Sequence, residues 1–158
     1  MNLHMTLAEK NLFSAGFVLG LGLLGAFDGI MFHQLLQWHH VVHHPDSRVE
    51  LISDGVFHAV VSALMLWGAI RLFRHAQEDQ LSGRSAVFWG SIWVGGGVFN
   101  LAEGLINHHL LQLHHVKPGD PYELWYDLAY LASGLVLAFV GWKMCSPGGR
   151  SVSHAARS

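Results

Sequence analysis

The residues able to do chemistry are acids and histidines, and they recur at fixed spacing. Asp28 is followed by His33 and then by the pair His39-His40. Glu103 is followed by His108 and then by His114-His115, each 75 positions beyond its counterpart. Gly29 aligns with Gly104, Leu35-Leu36-Gln37 with Leu110-Leu111-Gln112, and Val41 with Val116 in the same register. Past the following loop the offset becomes 73, and Asp54 aligns with Asp127. The reading is an internal repeat: two tandem copies of a helical hairpin, each with an acid, a His, a His-His pair and an outer Asp. Thirteen histidines, against nine lysines plus arginines, agree with that emphasis.

Imidazole nitrogens and carboxylate oxygens gathered in one dry cavity form a transition-metal site, with ligands for one or two ions. Ligand softness favours iron, zinc, manganese or copper(II). Copper(I) would ask for Met or Cys, and only Met31 is near. If each stretch is a continuous helix turning about 100° per residue, Asp28, His33, His39 and His40 share an arc of about 140°. Glu103, Asn107, His108, His114 and His115 share the same arc, and His109 falls outside it. Asp54 and His58 stand at i and i+4 on one face. The expected inner ligands are His33, His58, His108 and Glu103, with Asp28 and Asp54 as ligands or as partners that orient imidazoles. His39, His40, His114, His115 and Asp127 complete the metal-binding set, and Asp28 or Glu103 is the candidate catalytic base.

Plainer roles compete with these. Gly29 and Gly104 serve close helix approach, and Asp54 and Asp127 serve as N-caps. His43 and His44 read as loop residues beside the Pro45-Asp46 turn. The acids resist a plain role. They lie about 16 Å inside the outer His pairs at helical rise, where an unpaired charge costs about 2.5–3.5 kcal/mol in a bilayer.

The elements that must carry these residues are apolar. Of 158 residues, 51% are hydrophobic and 13% charged, half of the about 25% charge usual in soluble domains. Four apolar segments run from about 12 to 38, 56 to 72, 86 to 111 and 124 to 144, and about 20 apolar residues span a bilayer as a helix. Leu64–Ile70 and Leu131–Trp142 show no polar stripe, against a soluble bundle. The expected fold is all-α: a four-transmembrane-helix bundle over residues 12–145, built from two parallel-related hairpins at about 12–73 and 86–144. Residues 1–11 read as a short cytoplasmic start without a cleaved signal peptide, and residues 146–158 as a disordered cytoplasmic tail.

Lys10, Arg71, Arg74, Arg84, Lys143, Arg150 and Arg157 lie at one end, and only Arg48 and Lys117 at the other. The positive-inside rule then sets both termini inside and the His-rich loops outside. In a bacterium that is the periplasmic side of the inner membrane. Trp67, Trp89 and Trp142 at the inner ends, with Trp38 and Trp125 at the outer ends, fit an aromatic belt. A net charge of −2 offers no basic surface for nucleic acid. The single Cys145 excludes a disulfide framework and a cysteine zinc finger.

Phe27-Asp28-Gly29 with His33 and Trp38-His39-His40, then Glu103-Gly104 with His108-His109 and His114-His115-Val116, carry a resemblance. Over about residues 10–145 the chain resembles a family of small bacterial four-helix proteins described as predicted membrane proteins. That resemblance implies a bacterial inner-membrane setting. His40-x-x-His43-His44 is also similar to one His box of the membrane di-iron desaturases and alkane hydroxylases. That likeness covers one box of three.

Four functions are compatible with this reading. The first is a membrane metalloprotein acting as an oxidoreductase or metal-dependent enzyme on a small or lipidic substrate. The second is a metal carrier, chaperone or assembly factor for a respiratory or exported metalloenzyme. The third is a bis-His haem protein using His33, His58 and His108. The fourth is an interaction subunit whose acids and histidines only hold helices together. The lipid bilayer and metal ions are the expected partners, with a homodimer or a respiratory-complex subunit left open.

Overall fold

A computed structural model describes residues 5–77 and 83–146. Four long helices make up the described part, with no strand among the described residues. Helix α1 spans Leu7–Asp28 and α2 spans Ser47–Gln77. Helix α3 spans Ser85–Glu103 and α4 spans Glu123–Cys145. α1 runs on without a break into a π-helical segment, Gly29–Leu35, and α3 into another, Gly104–Leu110. Each of the four is long and apolar enough to cross a membrane. α1 starts on a capping box, in which Thr6 and Glu9 satisfy each other's backbone N–H groups. The expected short start and disordered tail fall largely on residues 1–4 and 147–158, outside the described residues.

α1 and α3 form a central pair, α2 lies against α1, and α4 lies against α3. The most apolar stretches of α1 and α3 are each 44% buried, against 11% for α2 and 22% for α4. The flanking helices therefore turn most of their surface to lipid, which costs nothing when that surface is Leu, Val and Phe.

Glycine sets how close the central pair comes. A side chain on Gly20 would collide with the Ile92 carbonyl, and one on Gly95 with the Phe17 carbonyl. On the flanks Gly22 faces Val61 and Met65, while Gly97 faces Gly134 and Ala138. These approaches come in matched pairs, Gly20 with Gly95 and Gly22 with Gly97.

One sequence expectation is overturned here. Neither His39 nor His114 lies on a continuous helix. In the π-helical segments the backbone bonds reach five residues back, with Leu36 N–H donating to the Met31 carbonyl (2.8 Å) and Leu111 N–H to that of Ile106 (2.7 Å). Gln37 (φ 50°) and Gln112 (φ 49°) then take the left-handed conformation and turn the chain back. Residues 38–41 and 113–116 thus re-enter the molecule as irregular loops. The shared arc drawn from 100° per residue holds only as far as the π-helical segments.

Both His-rich loops lie at one end. Lys117 binds Asp120 (2.8 Å) and covers the rings of Trp38 (5.2 Å) and Tyr126 (5.3 Å), tying the second loop to the first. The Asp120 carboxylate holds the Lys117 ammonium above its ordinary range.

Candidate metal centre

Two groups of three side chains converge at the loop end of α1 and α3. In the first, Asp28 closes the α-helical part of α1 and His33 sits five residues on, in the π-helical segment. His33 Nε2 lies 3.5 Å from Asp28 Oδ2, and its Nδ1 lies 3.1 Å from Asp54 Oδ1 on α2. His39 returns on the loop to join them, and the three offer ligand atoms within 4.8 Å of one another. In the second, His108 Nε2 lies 3.1 Å from Glu103 Oε2 and its Nδ1 3.3 Å from Asp127 Oδ1 on α4. His114 completes that group, its Nε2 2.9 Å from Glu103 Oε1. All six are buried.

The groups adjoin each other. The His39 and His114 rings stack with centroids 4.5 Å apart and planes 10° from parallel. Each crosses to the other half for its support. His39 Nδ1 donates to the Val116 carbonyl (2.7 Å), and His114 Nδ1 donates to the Val41 carbonyl (3.1 Å). A carbonyl only accepts, so both Nδ1 atoms carry a hydrogen, and a neutral His39 ring presents a lone pair at Nε2. Burial, and then the neighbouring His114, hold His39 far below the ordinary imidazole range, at about 3, so this ring is neutral.

The electrostatics ask for a cation. His114 Nε2 faces a Glu103 carboxylate oxygen at 2.9 Å, a contact that a proton or a metal ion bridges. Asp28 Oδ2, Glu103 Oε2, His39 Nε2 and both ring nitrogens of His33 and His108 are buried with no well-formed hydrogen bond. Leaving one such atom unsatisfied costs about 1–3 kcal/mol. Metal bonds of about 2.0–2.2 Å at angles of 90–109° would place donor atoms roughly 3.0–3.5 Å apart. The carboxylate-to-imidazole distances of 2.9, 3.1 and 3.5 Å fall about that range. Two imidazoles and one carboxylate per group form a donor set suited to iron, zinc or manganese.

Asp54 and Asp127 stand behind the groups. Both lie inside their helices, so the N-cap reading fails. Asp54 accepts from Val41 N–H (3.0 Å) and His40 Nδ1 (2.7 Å). Asp127 accepts from Val116 N–H (2.9 Å) and His115 Nδ1 (2.6 Å). Each thus pins the returning loop while facing Nδ1 of His33 or His108. That arrangement turns Nε2 toward the centre and raises its basicity.

Not every expected ligand joins. His58 stays outside both groups: its Nδ1 turns to the Asp54 backbone carbonyl (2.8 Å), and its ring packs where Gly29 leaves space. His40 and His115 lie on the outer side of Asp54 and Asp127, partly exposed. His43 reaches Glu50 (3.2 Å), and the His44 backbone does the same, so these two members of the desaturase-like box are tied to α2 rather than joining either group.

Sequence reasoning gave Tyr130 no role. Its ring lies against His108 (5.4 Å) while its hydroxyl donates to Asp28 Oδ1 (3.1 Å), bridging the two groups. The signal available was its place three residues after Asp127, one helical turn along the same face. Asn107 adds a weak bond to Glu103 (3.5 Å).

Residues 15–147 match the model of a family described as "Predicted membrane protein (DUF2243)". No curated protein and no solved structure matches the chain.

Proposed function

The chain belongs to this DUF2243 family of membrane proteins, and from that premise we propose an integral membrane metalloprotein with a paired transition-metal centre. Asp28, His33 and His39 would hold one ion, and Glu103, His108 and His114 the other. The observation that carries this reading is the set of buried, unpartnered donor atoms, with carbonyls fixing the hydrogens of His39 and His114 away from the centre. Asp54 and Asp127 orient His33 and His108, and Tyr130 restrains Asp28. A bound ion of this kind supplies Lewis-acid or redox chemistry.

On this reading the two hairpins are copies of one unit, a view supported by the 75- and 73-residue offsets and by the paired contacts. Excess Lys and Arg at the opposite end support an orientation with both His-rich loops outside, in a bacterial inner membrane. The activity we propose is that of an oxidoreductase or metal-dependent enzyme acting on a small or lipidic molecule.

Metal handling is the second reading. One observation favours it: His43, His40 and Asp54 lead from the exposed loop toward His33, with side-chain exposure falling from 49% to 27% to 2%. A carrier releases its ion to mild chelators, and an enzyme centre keeps it.

Protein purified in mild detergent, from cells supplied with iron, zinc, manganese and copper, should contain one or two ions per chain by elemental analysis. The His33→Ala/His108→Ala variant should lose them. Wild-type protein that is metal-free, and that takes up none of the four on titration, overturns the proposal.

A further inference from the structure

The two groups differ in what lies beside them. A cavity of about 230 Å³ adjoins Asp28 of the first group. Asp28, Asn100, Tyr130 and Ser133 give it a polar wall, while Phe27 and Leu137 are among its apolar lining. The polar wall is a connected set. Asn100 donates to Ser133 Oγ (3.0 Å), Ser133 donates to the Tyr130 carbonyl (2.6 Å), and Tyr130 donates to Asp28 Oδ1 (3.1 Å). The other Asp28 oxygen, Oδ2, turns to His33 Nε2 (3.5 Å) in the first group.

At the equivalent place beside the second group the same positions carry Gly25, Phe57 and Val60 in place of Asn100, Tyr130 and Ser133. There Phe57 and Phe99 pack ring to ring (6.2 Å), and Val61 and Phe99 fill the space at Gly25. One side leaves a mostly apolar cavity with a small polar edge, and the other is packed with aromatic rings. The cavity lies where α1 and α4 make no backbone contact, with Phe27 exposed at its rim. A ligand therefore has a route in from the lipid.

We propose that this cavity binds a small uncharged amphiphile, a phenol or medium-chain alcohol, with its hydroxyl on that of Tyr130 and its apolar body between α1 and α4. The first centre is then the reacting one and the second is structural. The size fits: a cavity of about 150 Å³ already takes up benzene, so this one holds a ring or short chain with a polar end. The Tyr130 hydroxyl donates to Asp28 and keeps an oxygen lone pair for a ligand that donates. Only the assignment of the reacting centre rests on the metal reading; the pocket stands without it.

Photolabelling in lipid nanodiscs with a diazirine-bearing octanol, mapped by mass spectrometry, tests the pocket. Label should concentrate on residues 24–32 of the first span and 130–137 of α4. Excess octanol should compete, and octane should not. Tyr130→Phe should weaken labelling by about fivefold, the worth of one hydrogen bond, and the filling variant Ser133→Phe should abolish it. Label spread evenly over all lipid-facing helices, or unchanged in Tyr130→Phe, overturns the proposal, even if Ser133→Phe does not fold. Metal content measured on the same samples separates the two ideas. Focused label on metal-free protein leaves the pocket standing, and diffuse label on metal-loaded protein removes the pocket alone.

Discussion

His114 and His40 belong to matching His-His pairs, yet their surroundings give them different work. His114 is buried, with Nδ1 on a carbonyl and Nε2 against Glu103. His40 is partly exposed and spends Nδ1 on Asp54. His114→Ala should remove the ion of the second group outright. His40→Ala should leave the metal in place and weaken its retention by about 10–100-fold, the usual effect of losing an outer partner. Competition with graded chelators distinguishes the two. His58→Gln should leave retention unchanged, because its ring nitrogen is spent on its own helix. Six of the eleven side chains expected to bind metal converge in the two groups, and acid–His spacing alone made them legible. His58 was misread because sharing a helical face with Asp54 does not say where a ring turns, and the carbonyl four residues back was nearer. Tyr130 was missed because its partner, Asp28, is 102 residues away.

At the scale of the elements, glycine decides what can approach and the π-helical segments decide what returns. Gly95 presses on the backbone of α1, so Gly95→Leu should separate α1 from α3 and abolish metal binding in both groups together. Size-exclusion and thermal-unfolding measurements in detergent check this. Gly55 has no neighbour within 4 Å of the place a side chain would occupy. Gly55→Ala should therefore stabilise α2 by about 0.5–1 kcal/mol and leave metal content alone. The spans were legible from hydropathy, although α2 starts at Ser47 rather than near residue 56 because its first turns are polar. The π-helical segments were not legible. No propensity marks a shift from one hydrogen-bond register to the next, and Gln is not a residue that announces a left-handed turn. Without that turn His39 and His114 would continue away from Asp28 and Glu103 instead of folding onto them.

At the scale of the molecule, orientation decides which solution supplies the centre. The loops holding His39, His40, His114 and His115 lie at one end, and Arg71 and Arg74 lie near the far end of α2. In the orientation proposed above the basic end would stay inside, because Lys and Arg resist translocation, and the centre would draw its ions from the outer side. Introduced cysteines test this, in a Cys145→Ser background that removes the buried native thiol. Pro45 and Arg74 are both exposed, at opposite ends. Pro45→Cys should react with a membrane-impermeant maleimide in intact cells, or in spheroplasts if an outer membrane blocks the reagent. Arg74→Cys should react only after lysis. The reverse pattern would put the loops inside, where the centre would draw on the tightly buffered metal pools of the cytoplasm, and the carrier reading would then require export rather than capture.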